Sequence, residues 1–314
     1  MSLELSPTAS VVGLATLVVA LYWYFVSRQR SMGMKDPYGL FHLTLNRISG
    51  DDVAKPPKTE WLNMGYWKDT VVFPEAAKAL AMKLVAAGNL KKGGRVLDVG
   101  HGTGESLIML LSEQNIPRSA TLTGITSILE HSRRSLQRVK DLQSAVPESQ
   151  ATKVDLHHGD AVYRDDKDGP GCEHPFSEGN EPFDSILVLD CAYHFNTRHL
   201  FLKQARAHLS TGGTIALADI CFSSSSLQSV YTRILTKVLR VMPQANIISD
   251  SEYISQMQDL GYHDVSLENV TADVFPGFVK FLKSRGGGWY VFGCIMDCYA
   301  RAGAQFVIIS GRKK

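Results

Sequence analysis

Absences narrow the field first. The five cysteines (Cys172, Cys191, Cys221, Cys294, Cys298) form no C-x-x-C pair and leave one over. That argues against a disulfide scaffold and for reduced, mostly buried thiols. No sign of charge dominates: 33 Lys and Arg meet 31 Asp and Glu, a net charge of +2, too mild to argue for nucleic acid. No segment repeats, and no metal is implied, because the spacing of His157, His158, Cys172 and His174 fits no ligand pattern. With 44% hydrophobic and 20% charged residues over 314 positions, the chain has the composition of a globular protein with a real core.

Charge is also missing locally, from Leu5 to Ser27. Residues 11–26 are almost wholly apolar, and residues 6–26 are long enough to cross a bilayer core of roughly 30 Å as a helix. Tyr22, Trp23, Tyr24 and Phe25 crowd one end; Arg28, Arg30 and Lys35 follow at once, and only Glu4 precedes. The bias predicts a single-pass membrane anchor over residues 1–30, with the bulk of the chain cytoplasmic, on the endoplasmic reticulum or another organelle. A cleaved signal peptide is the rival, but a basic leader and a small-x-small cleavage site are both missing. Residues 31–60 read as a juxtamembrane linker with a short helix near 36–46, and residues 61–314 as the globular domain.

That domain is organised around Arg95-Val96-Leu97-Asp98-Val99-Gly100-His101-Gly102-Thr103-Gly104-Glu105-Ser106. A short aliphatic run ends in an acid, three glycines alternate, and an apolar helical pattern begins at Leu107, so the order is strand, tight loop, helix. A dinucleotide fingerprint wants a glycine where Glu105 stands, and a carboxylate there repels pyrophosphate. No Gly-Lys-Ser/Thr follows, which excludes a Walker loop.

The remaining pattern, h-h-D-h-G-x-G-x-G, resembles the first motif of class I S-adenosylmethionine-dependent methyltransferases. The resemblance implies that Gly100, Gly102 and Gly104 pack under that cofactor and that Asp98 helps order its methionine end. Gly124-Ile125-Thr126-Ser127 replaces the usual ribose-binding acid and resembles the branch with sterol C-methyltransferases and cyclopropane-fatty-acid synthases. Thr126 and Glu130 are then the ribose candidates, a plain helix-start carboxylate being the alternative for Glu130. Asp160, with Ala161, matches the adenine-binding acid, against a simple Gly-Asp turn. Trp61-Leu62-Asn63-Met64-Gly65-Tyr66-Trp67 resembles a segment that closes over cofactor and substrate, and Tyr66 is the candidate within it. The stretch from Asp190-Cys191-Ala192-Tyr193-His194-Phe195 to Ser210-Thr211-Gly212-Gly213 resembles the fourth and fifth motifs.

The implied fold is α/β: a Rossmann-like seven-stranded, mostly parallel sheet with a C-terminal antiparallel hairpin and a helical cap over residues 227–242, preceded by one transmembrane helix. Residues 164–182 read as an inserted surface loop. In methyl transfer the cofactor carries the reactive group, while the protein supplies orientation and any deprotonation. His194, after the fourth strand at the ligand edge, is the candidate base for a hydroxyl or amine. Asp190 is better placed if the acceptor is an alkene. Tyr66, Trp67, Tyr193, Phe195, Trp289 and Tyr290 are candidates to line the cleft. The anchor points to a lipophilic small molecule (a sterol, prenylated ring or other lipid) as acceptor. The alternatives are an anchored natural-product O- or N-methyltransferase and a catalytically idle cofactor-binding scaffold.

Overall fold

The computed structural model describes residues 42–52, 54–164 and 173–314. The expected anchor over residues 6–26, Cys172 and most of the 36–46 helix lie outside the described residues. Among the described residues no helix is long and apolar enough to cross a membrane.

Seven strands form one sheet: β1 (Arg95–Val99), β2 (Thr121–Thr126), β3 (Lys153–His158), β4 (Phe183–Leu189), β5 (Leu209–Phe222), β6 (Tyr262–Asn269) and β7 (Ala304–Lys313). Their order is β3-β2-β1-β4-β5-β7-β6. All neighbours are parallel except β7, which runs against both β5 and β6. Strand order reverses between β1 and β4, so the carboxyl ends of those strands flank the crevice where open α/β sheets bind ligands.

The main helices are α1 (Phe73–Ala87), α2 (Glu105–Ser112), α3 (Leu129–Ala145), α4 (Arg198–Ala207), α5 (Val230–Leu239), α6 (Asp250–Asp259), α7 (Thr271–Ser284) and α8 (Gly287–Arg301). Pro74 opens α1, where its missing N–H costs nothing, and Ala77, Leu80, Ala81 and Leu84 bury one stripe. A Ser249–Glu252 capping box opens α6. Alternation along β1 sends Val96 into one core, with Leu80, Leu107 and Phe306, and Leu97 into the other, with Ile186, Phe201 and Tyr253.

Two differences from the expected fold have physical causes. β6 and β7 are antiparallel neighbours but no hairpin joins them. β7 is inserted between β5 and β6, and the chain reaches it through α7 and α8, which bury Phe275, Phe278, Leu282, Ile295 and Met296. The 164–182 stretch is also more than a surface loop. His174 and Phe176 are buried, and the Phe176 ring packs 5.9 Å from Phe201 and 5.0 Å from His208. Polar composition around a lone aromatic hid that anchor.

Candidate functional site

Gly100, Gly102 and Gly104 all adopt positive φ, at +76°, +55° and +91°. A Cβ added to them would lie 2.5 Å from Cys191 Sγ, 2.9 Å from Leu62 Cδ1 and 2.8 Å from Ser135 Cβ. Backbone conformation and close packing therefore both demand glycine. His101 fits because Gly124 faces it; a Cβ there would sit 2.7 Å from the ring. Burial presses the His101 imidazole down to about 4, and its Nε2 has no hydrogen-bond partner among the described residues.

Beneath the loop, Asp98 is 1% exposed and accepts the Ser106 hydroxyl at 2.6 Å. Burial nonetheless pushes its carboxyl up to about 6. Across the loop lies the strap of residues 60–64. The Glu60 N–H donates to Glu105 Oε2 at 2.7 Å, the Thr103 hydroxyl to the Glu60 carbonyl at 2.9 Å, and the Met64 N–H to Asp190 Oδ2 at 2.7 Å. From α3, Arg134 Nε donates to Glu60 at 2.6 Å, and Arg138 pairs with Glu105 while donating to the Thr103 carbonyl at 3.1 Å. Glu105 is thus held by a strap amide and an arginine. Sequence reasoning missed Glu60, Arg134 and Arg138, whose partners are 33 or more residues away.

Asp190 follows β4 with φ at +55°. Burial drives its carboxyl up to about 8 despite the Met64 N–H and the Tyr193 hydroxyl, and Oδ1 is buried with no hydrogen-bond partner among the described residues. Four residues on, the His194 ring lies 4.2 Å from the Tyr193 ring, tilted against it, and is held by the Val241 backbone. His194 is exposed, yet desolvation by the surrounding protein lowers its imidazole to about 4, so it is neutral at physiological pH. With Lys237, Arg240, Val241, Met242, Pro243 and Gln244 it lines a cavity of about 550 Å³.

A buried network fixes this loop from behind. Arg198 Nη1 donates to Asp219 Oδ2 at 2.7 Å and the Tyr253 hydroxyl donates to the same oxygen at 2.7 Å. The Arg198 guanidinium stacks 4.1 Å over the Tyr253 ring. Arg198 Nη2 reaches the Asn246 carbonyl, and Asn246 Nδ2 holds the carbonyls of Tyr193 (3.0 Å) and Phe195 (2.7 Å). Asp219, a charged residue inside the apolar run from Ile215 to Phe222, was the available signal.

The remaining candidates divide. Thr126 (5% exposed) and Ala161 (8%) are buried at the ends of β2 and β3, tied by the Gly159 N–H to the Thr126 carbonyl at 3.1 Å. Asp160 is exposed and caps its own turn, Oδ1 accepting from the Val162 N–H at 3.0 Å. Glu130 is exposed on the first turn of α3. Tyr66 engages α1 and α7 instead of the loops: Lys83 Nζ lies 5.4 Å over its ring and Asp273 bonds its hydroxyl. Nor do the six aromatics form one cleft. Trp67 packs on Phe73 and Phe281, Phe195 on Phe201, Trp289 on His42, and Tyr290 is exposed. No group of three or more His, Cys, Asp or Glu among the described residues is arranged to hold a metal ion.

S-adenosylmethionine, implied by the glycine motif, fits this arrangement. The loop offers backbone without Cβ atoms, and Asp190 Oδ1 is an enclosed acceptor without a partner, suited to a cationic ligand.

Residues 73–267 match the model of the methyltransferase domain family. Over 241 residues the chain is 25% identical to the erythromycin 3''-O-methyltransferase of Saccharopolyspora erythraea, covering 74% of this chain and 72% of that one. Among solved structures, it is similar to a geranyl diphosphate methyltransferase in complex with S-adenosylmethionine (TM-score 0.56, 16% identity, 77% of this chain and 88% of that one). It is also similar to the cyclopropane synthase MmaA2 of Mycobacterium tuberculosis (TM-score 0.60, 13% identity, 81% and 90%), a likeness of fold. With the matched domain spanning the glycine loop, the strap-bound Asp190 and the strands that carry them, the chain belongs to the methyltransferase domain family and is an S-adenosylmethionine-dependent methyltransferase.

Proposed function

We propose that this enzyme methylates a lipophilic small molecule, such as a sterol, prenylated ring or other lipid, at the cytoplasmic face of an organelle membrane to which residues 1–30 anchor it. The observation that carries the acceptor class is the cavity beside His194. Val241, Met242 and Pro243 give it apolar wall, while Lys237, Arg240 and Gln244 give it a polar rim. That lining suits an acceptor with an apolar body and one polar end. The charge-free run from Leu5 to Ser27 supports tethering beside a solute that partitions into lipid.

In this reading Asp98 and the backbone of Gly100, Gly102 and Gly104 hold the methionine end of the cofactor, Asp190 Oδ1 takes a cationic donor, and Asp160 with Ala161 meets the adenine. Burial favours Thr126 over the exposed Glu130 for the ribose. When bound, S-adenosylmethionine supplies an electrophilic methyl group. His194, present as free imidazole across the physiological range, orients an acceptor hydroxyl and accepts its proton. The name of the erythromycin relative, an O-methyltransferase, supports that choice over an alkene acceptor facing Asp190. The Arg198 network keeps His194 at the cavity wall, and Tyr66 braces the strap from outside.

Untargeted comparison of lipid extracts from cells with and without the gene tests the reading. A lipid that gains one methylene mass only when wild-type protein is present supports it. Incorporation from labelled cofactor into water-soluble products alone overturns the lipid acceptor.

A further inference from the structure

Helix α5 has three faces. Thr232, Thr236 and Leu239 are buried against the body, with the Thr232 hydroxyl donating to the Ala302 carbonyl at the end of α8. Opposite them, Val230 (67% exposed), Ile234 (58%) and Val238 (38%) form an i, i+4, i+8 stripe that meets solvent, with Tyr231 (48%) at its edge. Between stripe and body run Arg233 and Lys237, with Arg240 at the left-handed C-cap just beyond Leu239, and all three are exposed. None of the three side chains has an ion-pair or hydrogen-bond partner among the described residues, and no Asp or Glu occurs between Asp219 and Asp250.

An exposed aliphatic stripe costs solvation free energy on a free surface, and unpaired cations beside it gain nothing there. Both gain where apolar chains and anionic headgroups meet in one plane. A second copy would bring the same cations against one another, which disfavours a symmetric contact through this helix. Chain placement fits a planar partner too. The described chain begins at His42, whose ring lies 5.0 Å from Trp289 near the start of α8, and α5 packs at the other end of that helix. At 1.5 Å per residue, α8 separates the two points by only about 20 Å. Lys237 and Arg240 also rim the cavity beside His194.

We propose that α5 is an interfacial helix: it lays Val230, Ile234 and Val238 into the headgroup boundary of an anionic phospholipid bilayer, with Arg233, Lys237 and Arg240 on the phosphates, and sets the cavity mouth at that surface. This goes beyond the acceptor's identity and stands whether the methylated molecule is a lipid or not.

The test uses the full chain reconstituted into phosphatidylcholine vesicles with or without phosphatidylglycerol, because residues 6–26 would dominate any bulk binding measurement. Hydrogen–deuterium exchange over residues 230–240 is compared with that in detergent. Exchange slowed about tenfold or more in anionic vesicles, and restored by Val230→Glu with Ile234→Glu, is the expected result. Arg233→Ala is expected to weaken the protection about fivefold. Unaltered cofactor binding by the double variant shows that it is folded. Equal exchange in vesicles and detergent overturns the proposal, as does equal protection by neutral vesicles. Protection that rises with protein concentration in detergent overturns it in favour of a second copy.

Discussion

Asp190, just after β4, and Asp219, within β5, each carry an enclosed carboxylate oxygen, and the two differ in what accompanies them. Asp219 in β5 has its countercharge at hand: Arg198 and the Tyr253 hydroxyl both bond Oδ2, and burial with Asp219 holds that phenol firmly protonated. Asp190, after β4, has an amide and a phenol nearby but no cation, and its carboxyl rises to about 8. One site already holds its cation and serves architecture, although Asp219 Oδ1 and Arg198 Nε are also buried without hydrogen-bond partners among the described residues. The other is stable only protonated or beside a cation, which is the condition a cofactor site meets.

Breaking the completed site costs most. Arg198→Met strands Asp219 and is expected to lose about 3–5 kcal/mol, read as a drop in the denaturant midpoint. On the other side of the comparison, Gly102→Arg forces a side chain into a positive-φ position against Leu62. It should abolish cofactor binding by calorimetry while thermal unfolding stays cooperative. Asp190→Asn is expected to weaken cofactor binding about ten- to hundredfold, the worth of one charged hydrogen bond, and to leave stability unchanged or raised.

The pH dependence sharpens the same contrast. Because Asp190 holds its proton in the native state up to about pH 8 while an unfolded aspartate loses it near its ordinary value of about 4, this group makes cofactor-free stability fall as pH rises from about 4 to 8. Binding that needs the carboxylate should tighten over that window, by up to about tenfold per unit, and Asp190→Asn should flatten both profiles. Between about pH 4 and 6.5 His101 and His194, neutral when folded and protonated when unfolded, act in the opposite direction and offset the contributions of the raised Asp98 and Asp190 carboxyls. The smallest effect is expected for Tyr66→Phe: about 1 kcal/mol or less, and little change in methyl transfer, since its hydroxyl meets Asp273.

The glycine loop was legible because each of its constraints is local. A strand, a positive-φ turn and a helix start all leave their mark within residues 95–111, and β1 and α2 form there. The strap was half legible. Its aromatic, glycine-punctuated string stood out, but Tyr66 drew attention while the contact to Asp190 comes from the Met64 backbone N–H, which carries no residue signature. The buried arginine network was illegible as a network, since Arg198, Asp219, Asn246 and Tyr253 lie on four separate elements. The capping box at Ser249 and the helix stop near Gly88 needed no tertiary knowledge at all.

By itself the sequence determined the α/β order, the position of the glycine turn and the acid below it, and the charge-free start of the chain, because dihedral preference, periodicity and charge act over a few residues. Only the tertiary structure decided which carboxylates keep a countercharge, where β7 inserts, and that α5 turns three aliphatic side chains outward. Those outcomes depend on desolvation and packing between segments far apart in the chain, and neither has a local trace.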